Sequence, residues 1–221
     1  MTKFVSLSII DIWTLFVNTV SMGDPKKSKI LTAARSVFLR YGYKRVSMND
    51  IAEAAGVSRP ALYVLFKNKE EIFVGVFLQW VDEAVGAIQK EISTVATPEE
   101  KIERAFEIWA VRPFEMMMTS PEAKELAECS FPFAQTSLRE GYKKFETTIV
   151  PVLASLAERH PTRELMAPEQ IAHVLASAVR GFKQTATTPA DLRQLIRELL
   201  MLCFSHALSD TKAGRRTPLK R

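Results

Sequence analysis

Residues 47–66 read S-M-N-D-I-A-E-A-A-G-V-S-R-P-A-L-Y-V-L-F, and their spacing fits two short helices around a tight turn. Ser47 is a favoured N-cap, with Asp50 as an imperfect capping-box partner, so a helix is expected from Met48. Ile51, Ala52 and Ala55 form a narrow stripe of small and branched groups that lets a second helix approach closely. Gly56 supplies the positive φ that the turn requires. Ser58 caps the next helix, and Pro60 sits in its first turn, where a missing N–H costs nothing. Leu62, Leu65 and Phe66 give that helix an apolar side, leaving Arg59, Ala61 and Tyr63 on the other. A helix-turn-helix has this form, with the N-terminal residues of its second helix facing base edges in the major groove. An ordinary helical hairpin needs the same caps, so spacing alone leaves both readings open.

Charge favours the first, although a solvated helix face could carry the same residues. Residues 24–69 carry a net +7, residues 70–210 carry −7, and the tail from Thr211 adds +5, so the overall +5 hides a divided molecule. A basic head on an acidic body suits a protein oriented toward phosphate, because each neutralised phosphate releases counterion.

Residues 47–73, with I-A-E-A-A-G-V-S, L-Y-V-L-F and K-N-K-E-E-I-F, resemble the DNA-binding signature of the TetR family of transcriptional regulators. The likeness runs from Lys26 to the helix after Asn68 and includes Ile30, Ala33, Ala34, Val37, Phe38 and Tyr41, followed by Y-G-Y-K-R-V-S. It implies an all-α fold, with a three-helix N-terminal head joined by a long helix to a helical-bundle domain for ligand binding and dimerisation. The expected organisation is an extension over 1–23, the DNA-binding domain over 24–84, the second domain over 85–210 and a basic tail over 211–221. By resemblance, Ser47 and its neighbouring backbone, Tyr63 and Lys69 hold phosphate, the last with help from a helix N-terminus. Arg59, Pro60 and Ala61 lie where the family meets bases, and Arg45, Met48, Ser58 and Lys67 complete the expected surface. Arg59 is the candidate for direct readout, since a guanidinium pairs bidentately with guanine, whereas Pro60 and Ala61 could only touch a thymine methyl. Leu65 departs from the pattern: many members place His or Tyr there, so one polar phosphate contact is in doubt.

The rest of the chain also reads as helical, having few glycines, no Asn-Gly or Asp-Gly hairpin signal and no sustained β-branched alternation. Start signals at Asn68, Thr97-Pro98, Ser120-Pro121, Pro168-Glu169 and Thr188-Pro189 predict a long helix from 69 to about 93. Further helices are expected near 99–118, 121–129, 135–159, 168–184 and 189–209, nine in all with the head's three. Residues 4–20 are largely apolar, but Asp11 and Asn18 interrupt them and they fall short of a bilayer span. A start at Met22 would leave the short basic lead that family members usually have, so residues 1–21 are read as a mis-assigned start or a disordered extension. Cys129 and Cys203, without disulfide spacing, fit a reducing cytoplasm, and no membrane association is expected.

On the last two helices, Val174, Ala178 and Phe182 with Leu195, Leu199 and Leu202 belong to apolar stripes broader than one core contact needs. The resemblance implies that these helices pair with their copies as a four-helix bundle, presenting two heads to a palindromic double-stranded operator. Packing within one chain is the alternative. Trp80, Phe106, Trp109, Arg112, Met116, Phe131 and Phe133 are candidates to line a pocket for a hydrophobic or amphipathic small-molecule effector, and also serve as ordinary core. His160, His173 and His206 are scattered, and no H-E-x-x-H, C-x-x-C, G-x-S-x-G or glycine-rich phosphate loop occurs, so neither catalysis, cofactor nor metal is expected. The expectation is a ligand-responsive repressor. A non-specific architectural DNA binder and a regulator sensing redox state through Cys129 are the rivals; Glu128 beside that thiol argues against its activation.

Overall fold

The expected caps form where the sequence puts them. The computed structural model describes residues 24–127, 131–159 and 166–204, and every regular element among them is helical. Helix α1 spans Pro25–Tyr41, capped by Asp24 and ended at Gly42, whose φ of 80° only glycine adopts readily. Helices α2 (Met48–Ala55) and α3 (Arg59–Leu65) follow, then α4 (Lys69–Ile92). Helix α5 runs over 98–117, α6 is Pro121–Ala127, and a 3-10 turn at Pro132–Ala134 leads into α7 (Gln135–Arg159). The last two are α8 (Pro168–Thr185) and α9 (Pro189–Phe204), making nine helices among the described residues.

Helix α5 departs from the simple helix expected near 99–118. Glu107–Val111 is a π segment, closed by the Arg112 N–H donating to Glu107 O. Pro113 explains why a wider turn forms there, since it has no N–H to continue the α ladder and its ring crowds the carbonyl one turn earlier.

The described residues fall into two compact units that do not follow a boundary at residue 84. One takes the chain up to Lys90 together with Met116–Lys144; the other takes Glu91–Glu115 and the chain from Phe145 onward. In the first unit, Ile30, Phe38, Ile51, Leu62, Ile72 and Phe73 are fully or almost fully buried in one core, to which Ala134 also belongs. Helix α1 packs against both α2 and α6. Gly75 allows the close approach of α1 to α4, because a Cβ there would sit 2.7 Å from Leu31 Cδ2. Arg35 and Glu83, both largely buried, join the same two helices through a 2.7 Å ion pair.

In the second unit α5, α8 and α9 pack together around Phe106, Trp109, Leu175, Val179, Leu192 and Ile196. Trp109 stacks on Phe145 with ring centroids 4.7 Å apart, and Arg193 of α9 holds Glu107 of the π segment through bonds of 2.8–3.2 Å. The two stripes on α8 and α9 separate into an inward row (Leu175, Val179, Leu192, Ile196, Leu200) and an outward one. Val174, Met201 and Leu202 are exposed, whereas Ala178, Phe182, Leu195 and Leu199 are half-buried.

The extension over 1–23, the tail over 211–221, Cys129, His160, His206 and the expected helix ends at 128–129 and 205–209 lie outside the described residues. Among the described residues no helix is long and apolar enough to cross a membrane.

Candidate nucleic-acid interface

The turn is built from bonds between near neighbours in the chain. Asp50 N–H donates to Ser47 Oγ at 3.3 Å, while Ser47 N–H and Oγ donate to Asp50 Oδ2 at 2.8 and 2.7 Å, so the capping box is complete. These donors, the backbone N–H first and the hydroxyl second, hold the Asp50 carboxyl below its ordinary range. Gly56 closes α2 in the left-handed region (φ 64°, ψ 39°), with N–H bonds back to Ala52 O and Glu53 O. Ala61 N–H donates to Ser58 Oγ at 3.3 Å, capping α3.

Leu62 anchors α3 in the core with no exposed surface, and Phe66, just past the helix, is buried as well. The opposite side therefore faces outward. Arg59, Pro60, Ala61, Tyr63 and Val64 are exposed, and the Arg59 guanidinium lies 5.6 Å from the Tyr63 ring centroid, a cation–π contact that aims it along the helix. The only mark of Val64 in the sequence is its place one turn beyond Pro60.

The charge around this surface sorts itself. Lys26, Lys27, Lys29, Arg40, Lys44, Arg45, Arg59 and Lys67 are exposed, whereas Arg35 is committed to Glu83. Arg45 also meets Glu122 at 3.1 Å, an ion pair in which the arginine keeps most of its exposure, so it holds little energy and opens readily. Met48 is half-buried against the head core. Ser47 is exposed, but its hydroxyl proton points to Asp50.

Lys69, expected to grip phosphate, has its ammonium engaged within the head. Its ammonium turns inward, donating to Tyr43 O and Val46 O at 2.8 Å and to Lys44 O at 3.4 Å, and lies 4.4 Å from the Tyr43 ring centroid. Three carbonyls of the bend before α2 converge there, and a cation satisfies them better than water does. At the start of α4, Asn68 Oδ1 accepts from Glu71 N–H, and Glu71 returns to Lys67 N–H.

The seven expected pocket residues do not gather in one unit. Trp80, Met116, Phe131 and Phe133 belong to the first, and Phe106, Trp109 and Arg112 to the second. Phe131 and Phe133 stack on each other 5.3 Å apart and cover Tyr43 and Phe73 at 4.7–5.8 Å, joining the head's own aromatic cluster. Trp80 leans on Phe77, Phe106 is fully buried against Phe145, and Arg112 is held by Glu91 at 3.1 and 3.3 Å.

Residues 30–76 match the model of bacterial regulatory proteins of the tetR family. The chain is 33% identical over 84 residues to the HTH-type transcriptional activator FasR of Mycolicibacterium smegmatis, covering 38% of each protein. It is 29% identical over 131 residues to the HTH-type transcriptional repressor KstR2 of the same species, covering 57% of this chain and 64% of that protein. The matches thus span less than two thirds of the length of either relative. Among solved structures it resembles Thermus thermophilus FadR, a repressor crystallised with lauroyl-CoA, with a TM-score of 0.58 at 21% identity, covering 88% of this chain and 99% of that one. At that identity the likeness is one of fold.

Proposed function

Because the chain belongs to the TetR family of bacterial regulatory proteins, we propose that it is a ligand-responsive repressor that binds a palindromic operator as a homodimer. The observation that carries this reading is α3, seated on the core by Leu62 with Arg59, Pro60, Ala61 and Tyr63 outward among exposed cations. Arg59 reads a base edge, Tyr63, Lys67 and Arg45 hold phosphate, and the backbone beside Ser47 and Ser58 completes the register. Lys69 contributes through the bend it holds. The exposed apolar surface of Val174 and Leu202, continued by the half-buried Ala178, Phe182, Leu195 and Leu199, supports self-association through α8 and α9.

The effector is hydrophobic or amphipathic and acts by population shift: it lowers operator affinity by as much as it prefers the conformation that does not fit the operator. Acyl-CoA esters are the first class to test, given the ligand named for the FadR neighbour.

Binding-site selection with the full chain, followed by competition with random DNA, tests the reading. A repressor retains its selected duplex, whereas an architectural binder is displaced in proportion to added mass. Arg59→Ala is expected to relax preference at one base pair per half-site, at a cost of roughly 1–3 kcal/mol; unchanged specificity would reject its role. Lauroyl-CoA is expected to release the duplex where free CoA does not, and release of an activated rather than repressed promoter in a reporter assay would reverse the sign of regulation.

A further inference from the structure

Val64 is the most exposed large apolar side chain among the described residues, at 83%. At 3.6 residues per turn it lies about 40° around α3 from Pro60 and about 160° from the fully buried Leu62, so it points away from the core. A valine there is poorly chosen for a solvated helix: it is a weaker helix former than lysine or glutamate and leaves two methyl groups in water. Its neighbours say what covers it. Arg59 and Lys67 flank it within a strongly cationic head, which suits a polyanion, and a lone valine beside Pro60 and Tyr63 is too small a patch for a protein interface.

We propose that Val64 is a specificity-determining residue that packs its methyl groups against the 5-methyl group of a thymine in the major groove, adding an apolar contact to the polar readout by Arg59. This rests on α3 being the recognition helix. Thymine is the base that presents a methyl group in that groove, so the contact selects one base at one position of each half-site.

The test uses the full-length protein and the duplex obtained by site selection. Each thymine is replaced in turn by deoxyuridine, symmetrically in both half-sites, which removes the methyl group and leaves every hydrogen-bonding group. For one thymine per half-site, uracil is expected to weaken wild-type binding about fourfold per half-site, about 15-fold for the duplex. Val64→Ala is expected to lose that sensitivity, and Val64→Ile to keep it. The alanine variant should fold normally, because the side chain is exposed and alanine favours helix. Uracil tolerated at every position by the wild type, or penalised equally in wild type and Val64→Ala, overturns the assignment while sequence-specific binding stands. Failure to select any sequence overturns both.

Discussion

Replacing Lys69 with methionine removes the ammonium from the bend before α2 while keeping most of the apolar stem. Two bonds of 2.8 Å, to Tyr43 O and Val46 O, are lost; the 3.4 Å approach to Lys44 O counts for little. Hydrogen bonds from a charged donor contribute about 1.5–3 kcal/mol each, and the lower end applies because the ammonium is only part-buried. The contact with the Tyr43 ring adds about 0.5 kcal/mol. Lys69→Met should therefore lower stability by roughly 3–4 kcal/mol, read as a lower urea midpoint at unchanged m-value. The same variant separates the clamp from a phosphate grip. Each phosphate contact contributes about 0.9 to the slope of log affinity against log salt, so loss of a grip in both heads would flatten that slope by about 2. The clamp predicts an unchanged slope for the folded variant. A variant as stable as wild type with a flattened slope would refute the inward role.

Three further outcomes follow from the local geometry. Gly56→Ala makes only an ordinary contact, with Lys29 Nζ at 3.8 Å, so its cost is the left-handed φ alone, about 1–2 kcal/mol by thermal melting; an unchanged melt would contradict the αL closure. Asp50 has its folded pKa below the unfolded value, so its capping box stabilises the head above the ordinary carboxylate pKa and this contribution fades as acid carries the pH below about 4. Asp50→Asn should remove that component from the acid titration followed by circular dichroism, and an identical profile would remove Asp50 as its source. Leu202→Glu sets a carboxylate in the proposed self-interface twice by symmetry, on the order of 2–6 kcal/mol per dimer. Sedimentation should show monomer with helicity intact, and an unaffected dimer would move the interface elsewhere.

What could be read from the sequence was local. Ser47, Asp50, Gly56, Ser58 and Pro60 act within four residues of where they stand, so their caps, φ and helix starts follow from residue type. The inward face of α3 was equally legible, because Leu62 and Phe66 have nothing else to do. Partners distant in the chain were not. Periodicity assigns Phe131 and Phe133 to apolar surroundings without naming Tyr43 and Phe73 as those surroundings. The inward bonds of Lys69 are illegible for the same reason: three carbonyls of residues 43–46 converge only after the chain folds back. The π segment did leave a trace in Pro113, a residue that an uninterrupted α-helix does not welcome.

The return of residues 116–144 to the head's unit bears on how the protein is made. Tyr43 and Phe73 leave the ribosome long before Phe131, Phe133 and Ala134, which complete their surroundings. At about 5–20 residues per second, the interval between synthesis of Lys90 and Lys144 lasts about 3–11 s. For that time the nascent head carries an uncovered aromatic face, which a chaperone could occupy. A fragment ended near residue 90 would keep that face uncovered, so the helix-turn-helix is local in sequence while the cover of its aromatic cluster is not.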